Sequence, residues 1–224
     1  GKVYGAGAGL TAALETVTLK IEAGEFVAVA GPSGSGKTTL LNLIGAIDEP
    51  TSGDVRIDGR LLRETTETER ADLRLRRIGF IFQNFNLVPV LTAAENVEFP
   101  LLFHRDLASR ERRRRVLEAL ERVGLASLKD RRPGEMSGGE RQRVAVARAL
   151  AARPSIVLAD EPTASLDQET GAAVIDLMHS LNRERGTTFL YATHDPGLIA
   201  LAGRVVRLRD GRVVDQVAVA KDAG

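Results

Sequence analysis

Eight consecutive residues, Gly31-Pro32-Ser33-Gly34-Ser35-Gly36-Lys37-Thr38, have the types and spacing to hold a polyphosphate. They fit the pattern G-x-x-x-x-G-K-[ST], with an apolar run at 26–30 before them and a helical pattern after them, the context the pattern requires. The glycines let successive backbone N–H groups turn toward an anion, and the helix presents its positive end to the same anion. Lys37 is then expected to reach the β- and γ-phosphates and the Thr38 hydroxyl to ligate magnesium. A Gly/Ser-rich turn that binds nothing explains neither the lysine nor the hydroxyl. Ile156-Val157-Leu158-Ala159-Asp160-Glu161 reads as a buried strand delivering Asp160 beside that magnesium, with Glu161 one residue further out to polarise an attacking water. In Ser137-Gly138-Gly139-Glu140, Ser137 is a helix N-cap and Glu140 its reciprocal partner. The two glycines are costly in a first turn unless something approaches the backbone closely, as a phosphate from a second molecule would.

These groups need elements to position them. Residues 14–30 read as strand, turn, strand, with alternation over 14–21 and a turn at Ala23-Gly24. Leu40, Leu41, Leu43, Ile44 and Ile47 follow helical spacing until Pro50 stops them. Residues 54–57 with Asp58-Gly59 read as half of a hairpin, and 77–82 as a strand ending at Gln83. Over the next fifty or so residues helix signals dominate: Thr92 with Glu95 is a capping box, and Ser109 opens a helix closed by Gly124. A helix follows Ser137 and another follows Asp167, ending at Gly186. Residues 187–193 read as a buried strand, Asp195-Pro196 as the start of a short helix, and 204–208 with 212–217 as a second hairpin across Asp210-Gly211. Strands alternating with helices imply a parallel α/β core, and the hairpins an attached antiparallel patch.

At 224 residues the chain can bury a full core, as one large domain or a core with an inserted lobe. Its 43% hydrophobic and 27% charged residues are those of a globular protein. A formal net charge of +1 supplies no global field to recruit nucleic acid or anionic lipid. No run approaches the roughly 18 apolar residues of a spanning helix, so membrane contact is expected only through a partner. Cysteine is absent, which excludes disulfides and cysteine-ligated metals. No secretory signal appears, which favours the cytoplasm, and a first residue of Gly rather than Met points to a trimmed or altered start.

The phosphate loop, Gln83, Met136-Ser137-Gly138-Gly139-Glu140, Leu158-Ala159-Asp160-Glu161-Pro162-Thr163, Ser165-Leu166-Asp167 and His194 stand in the order and approximate spacing of the ATP-binding cassette (ABC) ATPases. The chain resembles that family over essentially its whole length. Ile78-Gly79-Phe80-Ile81-Phe82-Gln83-Asn84-Phe85-Asn86-Leu87-Val88-Pro89, continuing to Glu95-Asn96-Val97, is most similar to the subfamily that powers lipoprotein release and macrolide-type export, whose relatives include a cell-division ATPase. The resemblance implies an α/β phosphate-loop NTPase fold with a RecA-like parallel core, an antiparallel β patch and an inserted helical lobe. Residues 1–86 and 138–224 would form the nucleotide-binding core, and 87–137 the helical part ending in the signature motif.

The resemblance also implies ATP and magnesium as cofactors. Gly31, Pro32, Ser33, Gly34, Ser35, Gly36, Lys37, Thr38 and Thr39 would hold the nucleotide, Tyr4 would stack on adenine, and Thr38, Gln83 and Asp160 would serve the metal. Glu161 matches the general base, His194 the γ-phosphate sensor and Asp167 the residue that communicates across a dimer. Two copies would meet head to tail, each ATP lying between the loop of one and Ser137, Gly138, Gly139 and Glu140 of the other. The implied partners are a second copy and integral-membrane permease subunits, with the chain peripheral on the cytoplasmic face of the inner membrane and no nucleic acid.

Two departures from the family pattern stand out. Met136 and Glu140 replace the usual Leu and Gln of the signature; the first is volume-conserving, while the second adds negative charge to a helix end that should attract phosphate. The strand that normally precedes the tyrosine is also missing, which leaves that edge of the antiparallel patch incomplete. His104 and His179 match no motif and read as structural. The run Arg110-Glu111-Arg112-Arg113-Arg114-Arg115 carries no interleaved aromatics and reads as a solvated helix face rather than a nucleic-acid or lipid site. The rival readings are an ATP-switched scaffold, as in cell division, and a chromosome or DNA-repair ATPase. The latter separates its halves by long coiled coils, for which the 54 positions from Gln83 to Ser137 (137 − 83) leave no room.

Overall fold

The apolar runs that read as buried strands pair with one another. In the computed structural model, which describes residues 1–5 and 9–219, the chain opens with β1 (Lys2–Tyr4), β2 (Thr11–Leu14) and β3 (Phe26–Ala30), then helix α1 (Lys37–Ile44). Two short strands, β4 (Arg56–Ile57) and β5 (Arg60–Leu61), precede α2 (Glu67–Arg77) and β6 (Ile78–Ile81). Helices α3 (Ala93–Glu98), α4 (Ser109–Arg122) and α5 (Gly138–Ala151) lead to β7 (Ile156–Asp160), α6 (Gln168–Arg185) and β8 (Thr188–Thr193). A one-turn α7 (Pro196–Ile199) and the hairpin β9 (Arg204–Arg209) and β10 (Arg212–Ala218) complete the described chain.

Six of these strands form one sheet in the order β10-β9-β3-β8-β7-β6. From β9 to β6 neighbouring strands run parallel, and only β10 is antiparallel, on the edge. Val27, Ala28 and Val29 of β3, and Phe189, Leu190 and Tyr191 of β8, are fully buried because helices cover both faces. Burial on this scale contributes roughly 1.5 to 3 kcal/mol for each large side chain. On one face the core takes in Val97 of α3 and Val116 and Leu120 of α4 together with α5, α6 and β7, so the helical segment shares its apolar interior with the sheet. The other face packs against Leu40, Leu41 and Leu43 of α1.

Three local readings change. The alternation over 14–21 does not form a strand: β2 lies earlier, and Val17, Leu19 and Ile21 pack against the α1 side of the core without pairing in a ladder. The 204–217 hairpin is present, but β9 also pairs with β3, so it extends the main sheet instead of joining a separate patch. The separate antiparallel pairs are β1–β2 and β4–β5, the latter turned by Asp58 and Gly59 at φ 50° and 80°. Tyr4 therefore sits on a paired strand despite its place beside the chain start. Helix α2 went unread: Thr66 and Glu69 form a capping box, yet the helix has no fully buried residue and touches the core through the half-buried Leu73.

Candidate functional site

Strand register gathers the candidate residues along one edge of the sheet. Ala30 pairs with Thr193, Asp160 with Ala192 and Ile81 with Ala159. Continuing each ladder by one or two residues sets Glu161 and Gln83 level with Ala30 and Thr193. The Gly31–Thr38 loop and His194 follow immediately. Parallel strands all present their carboxyl ends on this side, and such an edge is where open α/β sheets bind ligands.

The loop is shaped by positions that exclude side chains. Gly34 and Gly36 have φ of 78° and 101°. At Gly31 an added Cβ would stand 2.2 Å from the carbonyl oxygen of Leu208, and at Gly36 2.5 Å from that of Ala13. Gly36 gives α1 no side-chain cap and the first turn carries no acid, so its N–H groups face outward with their partial positive charge uncompensated. The Ser35 hydroxyl is buried with no partner. Lys37, 6% exposed, donates to the carbonyls of Gly31 and Pro32 at 2.8 and 3.0 Å, and its ammonium lies 3.5 Å from Glu161. A buried cation, free amides and glycines that a Cβ would obstruct fit a polyphosphate.

Burial lifts the Asp160 carboxyl above its ordinary pKa, against the opposing hydrogen bond from Thr38 and the charge of Lys37. Its Oδ1 is buried without a partner. Among the described residues no group of three His, Cys, Asp or Glu side chains could cage an ion. One carboxylate beside one hydroxyl suits magnesium, which is held by few protein ligands and completes its shell with water and phosphate oxygens. Glu161 is a non-glycine residue at φ 46°, a strained backbone of the kind found at active sites. His194 donates from Nδ1 to its carboxylate at 3.1 Å, and two-thirds of the histidine side chain remains exposed.

Gln83 is exposed, with its backbone carbonyl accepting from the Ser165 hydroxyl at 3.4 Å. Tyr4 is 40% exposed, its hydroxyl donating to Asp48 at 2.7 Å and the Lys2 ammonium 4.8 Å from the ring centroid. Burial and the Asp48 contact raise its pKa, while a hydrogen bond with Thr39 of α1 acts the other way. Asp48 escaped the sequence reading because 44 positions separate it from Tyr4.

The Ser137–Glu140 turn stands apart. No hydrogen bond or ion pair joins it to the phosphate loop among the described residues. Ser137 is exposed and accepts from the Glu140 N–H at 3.2 Å, while the Glu140 carboxylate accepts from the Ser137 N–H at 2.8 Å. That backbone hydrogen bond holds Glu140 below its ordinary pKa. The glycines also have a reason within the chain: a Cβ on Gly139 would meet the Thr170 methyl at 2.6 Å, and one on Gly138 would meet Leu166 at 3.2 Å. Asp167 caps α6 through the Thr170 N–H at 2.9 Å. His104 is buried with its pKa lowered by that burial, and His179 packs 4.8 Å from the Phe26 ring, both away from the site.

Sheet order and the loop's geometry define a phosphate-loop nucleotide-binding protein. The model of the family described as ABC transporter matches residues 14–164. The chain is 46% identical over 218 residues to an uncharacterized ABC transporter ATP-binding protein, MJ0796, of Methanocaldococcus jannaschii, covering 95% of this chain and 92% of that one. It is 47% identical over 210 residues to the lipoprotein-releasing system ATP-binding protein LolD of Psychrobacter arcticus, covering 94% and 93%. The solved dimer of MJ0796 bound to ADP and Pi superposes with a TM-score of 0.89 at 44% identity, covering 99% of this chain and 97% of that one. The chain belongs to the ABC transporter family and is an ATPase subunit within it.

Proposed function

We propose that this chain works as a head-to-tail pair, each ATP held between the Gly31–Thr38 loop of one copy and the Ser137–Gly139 tip of the other. Lys37 exchanges its bonds to Gly31 and Pro32 for the β- and γ-phosphates. Thr38, Gln83 and Asp160 hold magnesium, which supplies charge neutralisation at the phosphates. Glu161 takes a proton from the attacking water, His194 orients the terminal phosphate and Tyr4 stacks on the base. Catalysis is then mainly positioning and charge stabilisation. The observation that carries the reading is the common carboxyl edge at which β3, β6, β7 and β8 end, so that the loop, Gln83, Glu161 and His194 all follow from neighbouring parallel strands. The exposed position of Ser137 on an uncommitted face supports the pairing.

The motor drives a membrane subunit of the export or lipoprotein-release type from the cytoplasmic face. Exposed apolar side chains on the helical segment, Val90, Phe99, Leu102 and Phe103, give such a subunit a surface to grip. No helix of the described residues is long and apolar enough to cross a membrane. Phosphate release by the purified chain tests the pairing: specific activity should rise with protein concentration, and a constant specific activity across the range would reject it.

A further inference from the structure

Helix α5 carries the Ser137 tip at one end and, two turns apart on one face, Arg141 and Arg148, which grip the loop that follows β6. Arg148 donates to the Phe85 carbonyl at 2.7 Å and also to the Asn86 carbonyl. The Arg141 guanidinium lies 5.2 Å from the Phe85 ring centroid. Between these contacts the backbone is strained: Phe85 and Asn86 are consecutive non-glycine residues at φ 59° and 48°. Asparagine tolerates that region and a bulky aromatic does not. The loop's own bonding is thin, with Phe85 N–H to Phe82 at 3.2 Å and Asn86 N–H to Asn84 at 2.6 Å. Its far end is fixed by Asn96, 1% exposed, which accepts from the Val88 N–H at 2.7 Å and donates to the carbonyls of Val88, Leu91 and Thr92. Its near end is held by the Ser165 hydroxyl on the Gln83 backbone carbonyl at 3.4 Å and by the Phe82 ring stacked 5.8 Å from that of Phe80.

We propose that Arg148 is a positioning residue for Gln83: it clamps Phe85 and Asn86 in the left-handed conformation that sets the direction in which Gln83 leaves β6. The proposal rests on the reading of Gln83 as a magnesium and water contact.

In the nucleotide-free protein, Arg148→Ala should accelerate amide exchange across residues 83–88. The half-saturating magnesium concentration for turnover should rise about tenfold, in line with the cost of small misplacements, while ATP affinity measured without magnesium stays unchanged. Arg148→Lys, which keeps the charge but loses the fork, should fall between and serves as the reading if the alanine variant does not fold. Phe85→Gly should restore magnesium dependence in either background, because glycine adopts φ 59° without a clamp whereas phenylalanine does not. A merely structural arginine would lower thermal stability and both affinities together, with no rescue by glycine, and that result overturns the proposal. Gln83→Ala separates the two layers. If it leaves magnesium dependence unchanged, the reading of Gln83 fails and the clamp's role fails with it; if it raises the requirement but the Arg148 variants do not, the clamp alone is rejected.

Discussion

Glu161→Gln should change nucleotide binding and turnover in opposite directions. The carboxylate lies 3.5 Å from the Lys37 ammonium, with the two side chains 17% and 7% exposed. At an effective dielectric constant near 20 their gross attraction is about 5 kcal/mol. Desolvation of both ions cancels most of that, leaving a net coupling of about 1 to 1.5 kcal/mol. An arriving triphosphate must win Lys37 from this carboxylate and tolerate its charge. The amide preserves shape and the backbone at φ 46° while removing both obstacles. ATP should therefore bind about tenfold tighter. Loss of the base should slow turnover by about 100- to 10,000-fold. Titration calorimetry with ATP and single-turnover phosphate release measure the two effects. Weaker ATP binding would refute the competition for Lys37, and near-normal phosphate release would refute Glu161 as the base.

Tyr4→Ala should lower ATP affinity by about 1 to 3 kcal/mol, the range for a base stacked on an aromatic ring, while leaving tripolyphosphate binding unchanged. Equal losses for both ligands would exclude base stacking. Burial raises the Asp160 pKa, so its carboxyl contributes stability below the unfolded value near 3.9 that is lost as pH rises through the folded value. At neutral pH the charge is therefore a strain on the nucleotide-free fold. Asp160→Asn should raise the nucleotide-free melting temperature by roughly 2 to 4 °C at pH 7.5 and by less near pH 4, while removing magnesium-dependent turnover. A lower melting temperature at pH 7.5 in calorimetry would show that Asp160 stabilises the empty fold.

The strands that build the site were legible because β3, β7 and β8 are buried on both faces and read as unbroken apolar runs ending at Gly31, Asp160 and His194. Caps were equally plain, since Ser137 with Glu140 and Thr92 with Glu95 act within one turn. Helix α2 was missed because a charged surface helix with no fully buried residue leaves little but its cap as a signal. Residues 14–21 misled because Val17, Leu19 and Ile21 alternate through packing rather than pairing. The present partners of Lys37, the backbone strain at Glu161 and the grip of Arg148 on Phe85, 63 positions away, depend on tertiary geometry that no local pattern encodes. The packing reason for Gly138 and Gly139 was hidden likewise, because Leu166 and Thr170 approach from the turn before α6 and from its first turn, later in the chain.

Sedimentation velocity of the Glu161→Gln chain with ATP and magnesium, with and without Ser137→Arg, tests the ATP-bridged pair most directly. The single variant should sediment as a dimer. The double variant should stay monomeric while still binding ATP, because a bulky cation occupies the tip that meets the other copy's phosphate. A double variant that still dimerises on ATP, or a single variant that never does, would contradict the account.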